Sequence, residues 1–503
     1  MSPFAHRPLG QRIPGSPHSV SFSLPTMRTV RGYEEKDPDV TRHLTSGYPR
    51  FVVHPFAREL AAHFGATIPG LEGRTLWLVT SERMAAAAAA HLGQARGAAV
   101  FSHQGLHGVS HPESAETFRA AKLFLQHLGG FLSSRAAEDH LVRLGLRPAP
   151  FAEASFSGDA AGEIRRQLQR VLPGTAASDL HIAPSGMNAI WAAFRAAQEL
   201  QASRGRTVWL QLGWLYLDTI AILQKFTASP ADYVYLRDVF DFAALERIFA
   251  QHGARIAGVV AEVPTNPLIQ TPDLPALAAL CRRHDALLIA DPSIASVYCL
   301  DVLPHADVVV TSLTKYTASD GDLTAGLIAF NPASPAAADL RPRLTAALEP
   351  TYPRDLARLA VEIGETESVL AQIHANTARV AAFLAAHPSV GEVFWALHPA
   401  AAANFRRLAR RPDATGGMIT FTLKRIGALE SFYDRLRLPK GPSFGMKTTL
   451  ICPFMYLAHF DLVSTPAGLA ELAASQLDPD LLRLCCGTEP AEEIIATLAE
   501  ALD

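Results

Sequence analysis

Two short runs constrain this chain more than any other feature. Residues 286–290 read ALLIA, and residues 307–311 read DVVVT. A run with no polar alternation has no solvent face, so it reads as a strand buried on both sides. Residues 180–183, 207–212 and 256–263 read as further strands. Residues 274–284 form a helical pattern with Asp273 as its N-cap. Strand alternating with helix means an α/β layer built on a largely parallel sheet. In such sheets a ligand binds beyond the carboxyl ends of the strands, so those ends are where chemistry belongs.

Each strand end carries a polar residue of a particular kind. After residues 180–183 come Pro184, Ser185, Gly186 and Met187, then a helical pattern. A hydroxyl and a glycine at a helix start are either a plain cap or an anion site of unpaired N–H groups. Asp291 follows ALLIA directly, as a turn residue or as a carboxylate aimed at a ligand. Ser312-Leu313-Thr314-Lys315-Tyr316 follows DVVVT. A lysine there is either exposed or a desolvated amine suited to Schiff-base chemistry. Tyr216 follows residues 207–212 and is either a core aromatic or a ring for stacking. Singly, each has a bland reading. In this order they supply what pyridoxal phosphate (PLP) requires: an amine, a carboxylate for the ring nitrogen, a phosphate cradle and a stacking ring.

These segments resemble the PLP-dependent enzymes of cysteine and methionine metabolism, of the cystathionine γ-synthase type. SLTKYTASDGD (312–322) is similar to the family's lysine motif, and APSGMNAI (183–190) to its S-G-M-x-A-I segment. The stretch from AEVPTNP to LLIAD (261–291) is similar to its E-x-P-x-N-P…D segment. SGYPR (46–50), GPSFGMKTTLICPFMYLAHF (441–460) and LLRLCCGTEP (481–490) resemble its remaining signatures. SVSFSLPTMRTVRGYEE (19–35) and the GW-x-Y-x-D-T pattern resemble the family's long fungal form.

The resemblance implies PLP fold type I. It expects a large domain with a mostly parallel seven-stranded sheet and a smaller C-terminal α/β domain. Lys315 would be the Schiff-base lysine, Asp291 the partner of the pyridine nitrogen and Tyr216 the stacking ring. Ser185, Gly186, Met187, Ser312 and Thr314 would hold the phosphate, with Tyr48 and Arg50 reaching it from a partner chain. Arg483 would bind the substrate carboxylate, helped by Asn266 and Ser443. The implied activity is γ-replacement on an O-acylated homoserine with cysteine, forming cystathionine. Its alternatives are a carbon–sulfur lyase, an O-acylhomoserine sulfhydrylase and a non-catalytic PLP-binding protein. The implied partners are small amino acids and a second copy of the chain, in a homodimer or homotetramer.

The length of 503 residues suggests about three units. We expect an N-terminal arm at 1–65 that reaches the partner and a large domain at 66–336. Its stretch 66–175 carries no legible motif, and a smaller domain follows at 337–503. Residues 337–350, rich in alanine and proline, read as a connection. Hydrophobic residues at 49% against 18% charged allow a sizeable core and exclude whole-chain disorder. The net charge of −3 gives no global reason to bind nucleic acid. The five cysteines form no CxxC pair, which argues for a reducing compartment and against a Cys-rich zinc site. No segment approaches the ~18–20 apolar residues of a membrane span. Four arginines precede Glu34 without an acid, faintly like a transit peptide, but Pro3, Pro8, Pro14 and Pro17 would break its helix. A cytoplasmic protein with a flexible N-terminus is expected.

Two decoys are set aside. Gly441–Gly445 fits G-x-S-x-G, but the β-branched residues after it read as a strand where a nucleophile elbow needs a helix. His103, His107 and His111 have helical ligand spacing, yet Gly105, Gly108 and Pro112 make that segment a loop with solvated histidines, with no metal expected.

Overall fold

The computed structural model describes residues 4–48 and 52–503. Its centre is a seven-stranded sheet. In chain order the strands are β1 (Leu180–Ala183), β2 (Val208–Leu212), β3 (Tyr233–Leu236), β4 (Ile256–Glu262), β5 (Leu287–Asp291), β6 (Val308–Ser312) and β7 (Gly326–Phe330). They lie in the order β1-β7-β6-β5-β4-β2-β3. All neighbouring pairs are parallel except those made by β7, which runs antiparallel to β6 and β1. The ALLIA run shows why both faces must be apolar. Leu288 and Ala290 enter one core cluster, whereas Leu287 and Ile289 enter the cluster on the opposite face. The helix Gly186–Ala202 covers that second face with a stripe of alanines and Phe194, all buried.

Residues 337–350 differ from the expected connection. They contain the helix Ala337–Leu344, whose Ala337, Leu340 and Leu344 are buried in the layer of the Gly186–Ala202 helix. Apolar spacing of three and four residues outweighs the linker-like composition there. The stretch 66–175 is also ordered. Arg74–Val79, Leu106–Pro112 and Ala99–His103 form a three-stranded antiparallel sheet with the long strand in the middle. Helices Glu82–Leu92 and Ala115–Leu128 close a core of Trp77, Val79, Met84, Val109 and Leu125 on it. The three histidines therefore lie on a β-hairpin and not in a loop. His111 is buried and accepts from Trp77 Nε1 at 3.1 Å.

The C-terminal region folds around a four-stranded antiparallel sheet. Its order is Val390–Trp395, Met418–Leu423, Leu482–Cys485, Leu450–Pro453. Helices Thr366–Ala386 and Ala491–Leu502 supply buried apolar residues to this region. The N-terminal residues pack on this same unit of their own chain. Phe22, Leu24, Met27 and Val30 share a core with Ile419, Phe421, Leu482 and Leu484. Ser21 Oγ donates to Pro442 O at 2.6 Å, Tyr433 Oη to Leu24 O at 3.0 Å and Lys440 Nζ to Pro25 O at 2.7 Å. No described helix is long and apolar enough to cross a membrane.

Candidate active site

The carboxyl ends of β2, β4, β5 and β6 open on one cavity. Tyr48, Ser185, Gly186, Met187, Tyr216, Asn266, Asp291, Ser312, Thr314, Lys315, Ser443 and Arg483 all line it. Apart from Arg50, which lies outside the described residues, every site residue expected from the sequence is brought to this one place.

Lys315 follows β6 by three residues. Its Nζ donates to Tyr48 Oη and to Ser443 Oγ, the latter at 3.4 Å, and lies over the rings of Tyr48 and Phe444 at 4.3 and 4.6 Å. Gly445 makes room for this: a Cβ there would come within 3.0 Å of Lys315 Cβ and 2.9 Å of Tyr316 N. Ser443 sits at φ +84°, a left-handed value that costs a non-glycine residue about 1–3 kcal/mol. That turn lets its Oγ meet Tyr48 Oη at 2.6 Å while its carbonyl accepts from Arg483 Nη2 at 3.3 Å. No helix follows Ser443; the next element is the strand Leu450–Pro453, so the elbow reading fails. Burial pushes the Tyr48 phenol well above its ordinary value, so it stays a neutral hydroxyl. The resemblance assigns Tyr48 to a partner's phosphate; in this chain it contacts Lys315 of its own subunit.

Arg483 projects from the middle of Leu482–Cys485 and is 7% exposed. Its guanidinium lies against Phe444 and Phe454, 5.2 and 4.6 Å from the ring centroids, and reaches Asn266 Oδ1 at 3.3 Å. It has no carboxylate partner among the described residues. A buried guanidinium between two rings and without a counter-ion is a ready site for one incoming carboxylate. Cys452 lies opposite Arg483 in the sheet and lines the cavity, whereas Cys485 accepts from Gly445 N at 3.2 Å.

Asp291 ends β5 with Oδ1 accepting from Ser293 N at 2.9 Å. Protein atoms surround it, although it keeps some exposure through the cavity. Burial raises its carboxyl to about 6, against the opposing pull of the Ser293 bonds and Lys315. Beside it, at the end of β4, Glu262 is raised well above its ordinary range by burial and then by Asp291. Glu262 Oε1 accepts from Tyr216 N at 2.5 Å. Sequence reading did not single out Glu262; the signal available was its position as the polar end of a buried strand.

At the far end, Ser185 caps the Gly186–Ala202 helix by accepting from Asn188 N at 3.1 Å. A Cβ on Gly186 would stand 2.8 Å from Ser312 Cβ, so only glycine lets this helix start rest against the end of β6. Thr314 lines the cavity, and its Oγ1 donates to Ala325 O at 3.2 Å and accepts from Ala325 N at 2.9 Å. The stretch 66–175 contributes Gln126, Gly129 and residues 131–135 to the cavity wall. Arg135 is fully buried, donating to Asp322 O at 2.9 Å and pairing with Glu153, Asp322 and Asp355.

Comparison with known proteins agrees with this geometry. Residues 166–503 match the family described as Cys/Met metabolism PLP-dependent enzyme. The chain belongs to this family. Relatives extend the likeness to its whole length. It is 40% identical over 502 residues to the L-2-amino-4-chloropent-4-enoate dechlorinase/desaturase of Streptantibioticus cattleyicolor, covering 100% of this chain and 99% of the relative. It is 26% identical over 621 aligned positions to the cystathionine gamma-synthase of Neurospora crassa, covering 100% and 98%. The fold resembles the solved structure of cystathionine gamma synthase from Xanthomonas oryzae pv. oryzae, with TM-score 0.58, 23% identity, and 70% and 91% of the two chains covered.

As a Cys/Met metabolism PLP-dependent enzyme, the chain uses pyridoxal phosphate. The residues fit that group. A helix start at Gly186 resting against Ser312, a buried carboxylate at Asp291 and an amine at Lys315 are the donor set it needs.

Proposed function

We propose that this enzyme removes a γ-substituent from a small L-α-amino acid by elimination. The observation that carries this reading is the count of carboxylate sites. Among the described cavity-lining residues the arginines are Arg135 and Arg483, and Arg135 is already held by three carboxylates. Among these, Arg483 is the arginine open to a substrate α-carboxylate. Elimination acts on one amino acid and needs one such site, which the described residues supply.

The full-length relative at 40% identity supports this reading, because position 4 of its named substrate is the γ-carbon and chlorine is the group lost. Bound PLP supplies the electron sink that makes the Cα–H bond acidic. Lys315 Nζ takes the Cα proton and moves a proton at Cβ. Tyr48 and Ser443 hold Nζ in the cavity, where the neutral Tyr48 hydroxyl accepts from it. Asp291 would keep the ring nitrogen protonated, Tyr216 would lie beside the ring, and the Gly186 and Met187 N–H groups with Ser312 would hold the phosphate. Phe444, Phe454 and Leu457 exclude water from the departing group.

The second reading is γ-replacement by cysteine to give cystathionine, favoured by the Neurospora crassa relative. Chloride release from L-2-amino-4-chloropent-4-enoate is compared with product analysis on O-acetyl- or O-succinylhomoserine plus cysteine. Chloride release without cystathionine supports elimination; efficient cystathionine formation overturns it.

A further inference from the structure

Glu262 takes no part in the elimination, yet its carboxyl holds two residues of the site by their backbones. It is 4% exposed at the end of β4, in register with Asp291 on the neighbouring parallel strand. Residues in register point to the same face about 5 Å apart, so the two carboxyls lie side by side. Oε1 accepts from the Tyr216 backbone N–H at 2.5 Å. The Asn266 backbone N–H donates to the same carboxyl. Oε2 has no hydrogen-bond partner among the described residues.

We infer that Glu262 is a positioning residue that stays protonated, gives its proton to Asp291 as a hydrogen bond, and fixes Tyr216 and Asn266 on two sides of the cofactor site. Two buried carboxyls this close do not both ionise. The charged groups facing them are Lys315 on the Asp291 side and Arg483 on the Glu262 side. Neither forms an ion pair with Glu262. Asp291 already accepts from Ser293 N, and a cationic ring nitrogen is its natural partner. The single proton therefore belongs on Glu262 Oε2. Burial and the Asp291 charge both push Glu262 toward its neutral form.

This inference rests on the cofactor site and not on which γ-substituent leaves, so its test uses no substrate. Glu262→Gln keeps an acceptor for the Tyr216 N–H and supplies a permanent N–H donor for Asp291. Glu262→Leu removes both. PLP affinity, read from visible absorbance, should stay within about twofold of wild type for Glu262→Gln and weaken at least tenfold for Glu262→Leu. In the cofactor-free protein, the urea midpoint should fall less steeply with rising pH between 6 and 9 in Glu262→Gln than in wild type. A Gln variant as weak for PLP as the Leu variant would mean that a carboxylate, not a proton donor, is needed. An unchanged pH slope would place no titrating proton on Glu262. Either result overturns the inference, and the slope keeps it testable if the Leu variant does not fold.

Discussion

Asp291→Asn should make the cofactor-free protein more stable and the enzyme worse. Asp291 is held at about 6 against an ordinary 3.8, mainly by burial. A tenfold change in an acid's dissociation constant is worth about 1.36 kcal/mol. The ionised carboxylate therefore costs the native state at most about 3 kcal/mol, part of it screened by water in the cavity. The sign follows from proton counts. A carboxyl raised on folding binds more protons in the native than in the unfolded state. Its penalty is absent below pH ~3.8, grows as pH rises, and is complete above pH ~6. Asparagine is neutral throughout and still accepts from Ser293 N. Urea unfolding of cofactor-free proteins should therefore show the variant more stable by up to about 3 kcal/mol at pH 7.5, and by about half of that at pH 5. Loss of a charged hydrogen bond to the ring nitrogen should weaken PLP binding by roughly 10- to 150-fold. An apo variant no more stable than wild type at pH 7.5, or equally stabilised at both pH values, would refute a charged, burial-strained Asp291.

Lys315→Ala should lower turnover by at least about 10³-fold while leaving the far-ultraviolet circular dichroism spectrum unchanged. Arg483→Lys should raise KM far more than it lowers kcat, losing about 2–3 kcal/mol of kcat/KM, because an ammonium lacks the fork that a carboxylate fits and the planar face that stacks on Phe444 and Phe454. Ser443→Gly should be neutral or slightly stabilising in unfolding assays, since φ +84° suits glycine, but slower in turnover through loss of the Oγ contact to Tyr48 and Lys315. Lys440→Met should loosen the N-terminal segment, read as faster proteolysis before residue 48, because Lys440 Nζ donates to the carbonyls of Pro25, Tyr433 and Asp434.

What could be read from residues alone was what depends on strand burial. ALLIA and DVVVT announce two-faced strands, and the residues just past them, Asp291 and Lys315, inherit their location from that fact. Arg483 was legible only through resemblance, because one arginine in a short apolar strand looks like any other until Phe444 and Phe454 are seen around it. The hairpin that carries His103, His107 and His111 was hidden because Gly105, Gly108 and Pro112 signal a loop, while its alternation places histidine where a β-branched residue would be recognisable. Ala337–Leu344 was hidden by its composition. Glu262 stands in AEVPTNP at the polar end of a buried strand, but its meaning lies in the register of β4 with β5, a tertiary fact.

The Arg135 web bears on how small this enzyme can be made. The span that matches the family begins at residue 166, yet the arginine that pairs with Asp355, and shares Asp322 with Arg358, comes from before it. Cutting the chain at that boundary would leave Asp322 to Arg358 alone and strand Asp355 in the interior, and an orphaned charge of that kind typically destabilises by about 3–5 kcal/mol. The segment with no legible motif is thus a keystone: its arginine closes an arch whose other stones are the lysine loop and the helix Pro353–Glu362. A shortened version would need Asp355 replaced along with the missing residues.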